Sequence, residues 1–331
     1  MNRDDVDWQG YFPAVVTPFT ENGKLDLDTL AALVEFYAGE GMHGMVINGT
    51  CGEWFVQDRD ERKAVAETAV SAAAGRMTVL VGCTDYRADL VIDLARHALA
   101  AGADGVLASP PPYAKLFPNE IIAYYQDISD GVDGPVAVYN WPHGSGVDIG
   151  PDLADRLADI ASIVAVKDST PDADQFFETS KRVRDRVRVF GPYMSERGVG
   201  VLQADGGDGF VGGGSLWGRP DPMFWENYWV GNVEAMQEHA RRSDELFPLL
   251  WLPGGWAGHY GAYQSQLKEL MRMLGQPAGH VRRPRLPVTD PDSLAAMRAV
   301  LVTQGLLPDD GGPAATDTTA ATNAVADGGA A

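Results

Sequence analysis

Short apolar runs rich in β-branched residues recur along this chain with polar and glycine-bearing stretches between them. They fall at 13–17 (PAVVT), 44–48 (GMVIN), 77–82 (MTVLVG), 105–109 (GVLAS), 136–140 (VAVYN), 162–167 (SIVAVK), 187–191 (VRVFG) and 209–213 (GFVGG). Each is too short for a helix and apolar on both faces, the pattern of a buried parallel strand. Between most of them the apolar spacing turns helical. In DLDTLAALVEFYAGEG, Leu27, Leu30, Val34 and Tyr37 share one face and Gly41 is a natural stop. DRDERKAVAETAVSAAAG, RADLVIDLARHALAAG and PDLADRLADI read the same way. Eight strand–helix units predict an α/β fold, a closed (β/α)8 TIM barrel over residues 10–231, rather than an open doubly wound sheet. The stretch after the first strand, PFTENGK, is also not the glycine fingerprint of a dinucleotide-binding sheet.

From about residue 232 the strand pattern stops. VEAMQEHARRSDELFPLL, YQSQLKELMRML and DPDSLAAMRAVLVTQG predict a C-terminal three-helix extension over 232–308. The remaining 309–331, rich in Ala, Gly and Thr, has no apolar period and reads as a disordered tail.

A net charge of −20 opposes nucleic-acid and anionic-membrane partners, because phosphates would be repelled. Two cysteines, Cys51 and Cys83, are too few for a disulfide framework, and MNRDDVDWQG lacks the order of a signal peptide; a cytoplasmic protein is expected. No apolar run reaches membrane-span length. The six histidines show no metal-ligand spacing, so neither a protein-bound metal nor a cofactor is expected.

In a barrel, chemistry gathers where the strands end. Those ends here are Thr17, Thr50, Thr84, Ser109, Tyr139, Lys167, Gly191 and Gly213. Of six lysines, Lys24 and Lys115 sit in loop sequence and Lys63, Lys181 and Lys268 in charged helical stretches; Lys167 alone is led into by a buried strand. Burial disfavours an ammonium, and the neutral amine can attack a ketone to form a Schiff base. The iminium then permits C–C cleavage or formation, or loss of water, next to the former keto carbon. Such a centre needs a proton shuttle, and Tyr139 at the neighbouring strand end suits it. The plainer reading pairs Lys167 with Asp168 or Glu53 as a structural ion pair. In NGTCGEW (48–54), Gly49 and Gly52 flank Thr50 and Cys51, whose exposed backbone N–H groups suit a carboxylate, with the Thr50 hydroxyl a relay to Tyr139. The glycine-rich GGDGFVGGGS (206–215) leaves a rival open, a phosphate-binding barrel enzyme.

NGTCGE, VYNWPHGSGVD, VAVKDST and GGDGFVGGG, in this order and with the LPV element at 286–288, resemble the dihydrodipicolinate synthase/N-acetylneuraminate lyase family from about Tyr11 to Leu307. The resemblance implies a barrel with a C-terminal helical bundle, usually a homotetramer, and a class I Schiff-base lyase acting on pyruvate or another 2-oxo acid. By position it implies Lys167 as the imine lysine, Tyr139 as the proton shuttle and Thr50 as its relay. It also implies the backbone at Thr50–Cys51 holding the substrate carboxylate, Gly49 as a further substrate-binding residue, and Val211 and Gly212 lining the pocket.

Four departures bear on the substrate. Cys51 stands where the family motif has a second threonine. Gly144 replaces the arginine with which the synthases of lysine biosynthesis bind a second carboxylate, and His143 is a partial substitute. Pro192 and Tyr193 stand where sialic acid lyases place acidic residues. PPPY leaves Tyr113 as a displaced equivalent of the family's tyrosine pair. With Trp54, Trp141 and Trp217 expected at the rim, these changes predict an aldolase or hydro-lyase for a 2-oxo acid with an uncharged or apolar tail. The alternatives are 4-hydroxy-tetrahydrodipicolinate synthesis, the phosphate-binding enzyme above, and a non-catalytic 2-oxo acid sensor.

Overall fold

A computed structural model describes residues 1–309 of the chain. Eight parallel strands close into a barrel in sequence order: β1 (Gly10–Ala14), β2 (Gly44–Ile47), β3 (Thr78–Gly82), β4 (Gly105–Ala108), β5 (Val136–Asn140), β6 (Ile163–Asp168), β7 (Arg188–Phe190) and β8 (Gly209–Gly213). The helices alternate with them: α1 (Leu27–Gly39), α2 (Arg59–Ala73), α3 (Ala88–Ala100), α4 (Pro118–Gly131), a one-turn α5 (Pro142–Ser145), α6 (Pro151–Leu157), α7 (Ala173–Val183), α8 (Glu196–Asp205) and α9 (Pro220–Trp229). Three more follow, α10 (Val233–Leu250), α11 (Tyr263–Met273) and α12 (Pro291–Thr303). The (β/α)8 barrel with C-terminal helices is therefore the architecture of the chain. The tail expected from 309 lies, but for its first residue, outside the described residues.

The first strand sits earlier than its apolar run suggests. β1 pairs with β8 through Gly10–Ala14, and only the Val15 N–H extends the ladder toward β2, bonding Val46 O at 2.8 Å. Val16 and Thr17 extend the run beyond the paired segment and are buried as well, and burial without pairing looks identical in sequence.

Side chains alternate across each strand. Phe12, Val46, Leu80, Leu107, Ala137 and Ala165 fill the barrel interior, while Ile47, Val81, Val106, Val138 and Val166 pack under the helical shell. This alternation puts Tyr139 and Lys167 on the inner face and Asn140 and Asp168 on the outer one. The β5–β6 register places Tyr139 directly beside Lys167.

The outer pair builds its own network. Asn140 Nδ2 donates to Asp168 Oδ1 at 2.9 Å and Asp148 Oδ1 at 2.8 Å, and the Thr170 N–H reaches Asp168 Oδ1 at 2.9 Å. Asp168 Oδ2 is buried with no partner among the described residues, and burial pushes this carboxyl up to about 7.

Candidate active site

The mouth of the barrel opens into a cavity of about 490 Å³. Its floor carries Lys167, Tyr139, Thr50 and Cys51, with Val211 and Gly212 from β8 beside them. Lys167 is 8% exposed, and its Nζ lies 3.8 Å from the centroid of the Tyr139 ring, held against the π face. Lys167 joins no salt bridge among the described residues. Neither structural partner suggested by the sequence takes it: Asp168 points outward, and Glu53 is engaged elsewhere.

Glu53, fully buried, receives Lys268 Nζ at 2.6 Å. The same ammonium donates to Thr17 O and His280 O, both at 2.7 Å. Lys268 is thus the most buried lysine of the site region at 1% exposure, not a solvated residue of a charged helix face. The signal was present in α11 as Gln264, Lys268 and Met271, whose i, i+4, i+7 spacing puts them on the buried stripe. Burial lowers Lys268 to about 8 against the pull of Glu53, so it stays an ammonium at neutrality.

This pair sits directly under the 48–54 turn, where Asn48 and Glu53 both have φ of 53°. Further bonds hold the turn: Gln57 Nε2 to Gly52 O at 2.7 Å and Gln264 Nε2 to Thr50 O at 3.0 Å. Among the described residues the N–H groups of Thr50 and Cys51 donate to no other residue. Burial pushes the Cys51 thiol up to about 11, with the Lys167 charge pulling the other way, so Cys51 is a neutral, weak donor rather than a nucleophile.

Of the eight strand ends, Thr50, Tyr139, Lys167, Gly191 and Gly213 line the cavity. Thr17, Thr84 and Ser109 do not; Thr84 Oγ1 instead accepts the Ser109 N–H at 2.9 Å. Gly49 shapes the turn without reaching the cavity wall. Trp141 does reach it, its ring nearly parallel to Tyr139 at 9° and 6.3 Å between centroids. A Cβ on Gly144 would come within 1.9 Å of that ring, so Gly144 makes room for Trp141.

Three residues expected at the substrate lie elsewhere. Tyr113 is 97% exposed on the β4–α4 loop. Tyr193 is fully buried behind the wall, its hydroxyl 2.5 Å from Ser180 Oγ and its ring edge-on to Phe176 and Trp225. His143 is exposed outside the lining, near Gly254. Trp54 also turns away, with Arg62 stacked 5.2 Å over its ring.

Their places are taken by residues from the C-terminal helices. Leu246, Phe247, Pro248, Trp251, Trp256, Tyr263 and Gln264 close one side of the cavity, and Phe190, Phe210, Leu216 and Trp217 form much of the rest. Besides Lys167, the one cationic side chain in the wall is Arg285. The space beside the β8 glycines is taken by other residues. A Cβ on Gly209 would meet Phe190 at 2.4 Å, on Gly212 Tyr11 Oη at 2.3 Å, and on Gly213 Tyr263 Oη at 1.9 Å. They are glycines because aromatic side chains fill the space.

A parallel barrel with a lysine, a tyrosine and an open N–H pair converging at its C-terminal mouth is a (β/α)8 enzyme site. The chain matches the Dihydrodipicolinate synthetase family over residues 7–302. It is 33% identical over 292 residues to an uncharacterized DapA-like lyase of Rhizobium meliloti, covering 86% of this chain and 92% of that protein. It is 31% identical to a probable 2-dehydro-3-deoxy-D-pentonate aldolase of Escherichia coli, covering 91% and 99%. Among solved structures it resembles a prophage protein of the dihydrodipicolinic acid synthase family from Escherichia coli, crystallised with pyruvate. That likeness has a TM-score of 0.82 at 27% identity, over 90% of this chain and 99% of that one. The chain belongs to the dihydrodipicolinate synthetase family, and the protein is an enzyme, a Schiff-base lyase acting on a 2-oxo acid.

Proposed function

We propose that Lys167 forms the imine with the substrate keto group, that Tyr139 moves the proton at the imine carbon's neighbours, and that Thr50 relays it. The neutral amine adds to the carbonyl carbon to give a carbinolamine, whose hydroxyl takes up a proton and leaves as one water, giving the iminium. The iminium accepts the electron pair when the adjacent C–C or C–H bond breaks; protonation of the resulting enamine and hydrolysis release the product. The N–H groups of Thr50 and Cys51 hold the 2-oxo acid carboxylate. The observation that carries this reading is the placement of Lys167 Nζ 3.8 Å over the Tyr139 ring at the floor of the cavity.

The far end of the substrate meets Trp141, Trp217, Phe247 and Trp251, so the reading favours pyruvate with neutral, apolar or aromatic aldehydes, or 3-deoxy-2-oxo acids with neutral tails, over a doubly charged partner. The second reading, 4-hydroxy-tetrahydrodipicolinate synthesis, is favoured by the family match, and only Arg285 is available to it as a carboxylate partner. A homodimer or homotetramer in the cytoplasm is part of this proposal. The exposed aromatics Tyr86, Tyr113 and Phe117 suit a subunit contact. No helix among the described residues is long and apolar enough to cross a membrane.

The test is borohydride reduction with pyruvate. One reduced adduct on the peptide carrying Lys167 is expected, and labelling that survives Lys167→Ala sinks the assignment. A substrate screen in which aspartate semialdehyde is the best partner would select the second reading.

A further inference from the structure

We propose that the Tyr263 hydroxyl, delivered over the barrel mouth by α11, is a third hydrogen-bond donor to the carboxylate of the bound 2-oxo acid, beside the N–H groups of Thr50 and Cys51. The proposal rests on the Lys167 reading above. The Tyr263 phenol is placed by two contacts. Its ring stacks on Trp251 with 4.3 Å between centroids and a 23° tilt. Its oxygen lies against the backbone of Gly213, the last residue of β8, so closely that a Cβ there would be 1.9 Å away. Only glycine at that strand end admits the phenol into the mouth.

The hydroxyl arrives unengaged. It lines the cavity and forms no hydrogen bond among the described residues, in contrast to Tyr11 and Tyr125, whose hydroxyls each bond a backbone carbonyl at 2.7 Å. Cys51, Tyr139 and Lys167 line the same cavity. The next residue, Gln264, bonds Thr50 O at 3.0 Å and so fixes the start of α11 to the turn that carries the free N–H pair.

The chemistry selects binding over proton transfer. Burial holds the Tyr263 phenol well above its ordinary range, so it remains a donor throughout the working pH range. The Cys51 thiol beside it is a poor donor. A carboxylate seated on the turn would therefore take its side-chain hydrogen bond from Tyr263.

Tyr263→Phe keeps the ring and its stack and removes only the donor. Saturation of cyanoborohydride trapping at Lys167 is measured with pyruvate and with acetone, a ketone that lacks the carboxylate. The expected result is a loss of apparent pyruvate affinity of about ten- to a hundredfold, the usual factor for a hydrogen bond to a charged group. Acetone trapping should shift much less. Cys51→Thr in the Tyr263→Phe background should recover part of the pyruvate affinity, because it supplies a hydroxyl at the turn; a packing role for Tyr263 would not be rescued that way. Equal losses for pyruvate and acetone, or no loss for pyruvate, would overturn the role of Tyr263 alone. Absence of any adduct on Lys167 in the unaltered enzyme would overturn the reading beneath it as well.

Discussion

Replacing Lys268 by methionine tests what holds the 48–54 turn in place. The side chain fits without charge, so the perturbation is the loss of one ammonium and its bonds to Glu53 at 2.6 Å and to Thr17 O and His280 O at 2.7 Å. Both members of the ion pair are buried, at 1% and 0% side-chain exposure. Breaking such a pair from one side leaves an uncompensated buried charge and costs about 3–5 kcal/mol. Glu53 can escape by taking a proton, since burial already raises its carboxyl even with Lys268 present.

The sign follows from that shift. In the variant the folded-state carboxyl sits further above its unfolded value near 4.3, so the folded protein keeps its proton. That escape is free below the unfolded value and costs about 1.4 kcal/mol more for each pH unit above it, up to the cost of the bare ion. The expected loss in urea denaturation is therefore about 3–4 kcal/mol at pH 7, where Lys268 is still charged in the unaltered protein, and distinctly smaller at pH 5.5. Adding Glu53→Gln should return much of it at pH 7. A loss below about 1 kcal/mol at pH 7, or the same loss at both pH values, would refute the reasoning.

Tyr139→Phe is expected to cut turnover by about 10²-fold or more, and Thr50→Val added to it should cost little further if the two act as one relay; fully multiplicative losses in steady-state assays would separate them. Asp168 has a folded carboxyl at about 7, so its protonated form stabilises the protein fully below the unfolded value near 3.9, and that stability is lost as pH rises through about 7. Asp168→Asn should then raise Tm at pH 8.5, by the equivalent of about 4 kcal/mol at most, and change little below pH 4; an unchanged Tm at pH 8.5 would count against the raised carboxyl. Gly144→Arg should not create condensation of pyruvate with aspartate semialdehyde, because its Cβ would strike the Trp141 ring at 1.9 Å. Efficient condensation by that single variant, followed by product mass, would show that Trp141 yields.

The barrel was legible because each element carries its own period. Buried parallel strands read as unbroken apolar runs, and the shell helices show one apolar face, so local pattern is enough to count eight units. Lys167 and Tyr139 were legible for a related reason: each ends such a run, and a charged or polar group there has one place to go, the barrel mouth. Strand alternation even implies that both face inward and that Asp168 does not. The 48–54 turn was visible in its glycines, and Thr50 and Cys51 do line the cavity.

The substrate end was not legible, because it is made by contacts between segments far apart in the chain. Tyr113 and Tyr193 look like site residues by position, yet one is fully exposed on a loop and the other is consumed by the Ser180, Phe176 and Trp225 packing. Lys268 looks like a surface lysine until Glu53 arrives from a turn 215 residues away. Tyr263 looks like the first residue of an ordinary helix until Gly213 leaves room for its oxygen. The sequence by itself determined the barrel, the lysine at its sixth strand and the tyrosine beside it, since those follow from short-range periodicity and strand order. The tertiary structure alone decided which aromatic rings wall the cavity, which lysine is paired and which glycines are spaces for other side chains, because close packing between distant segments has no local signature in the chain.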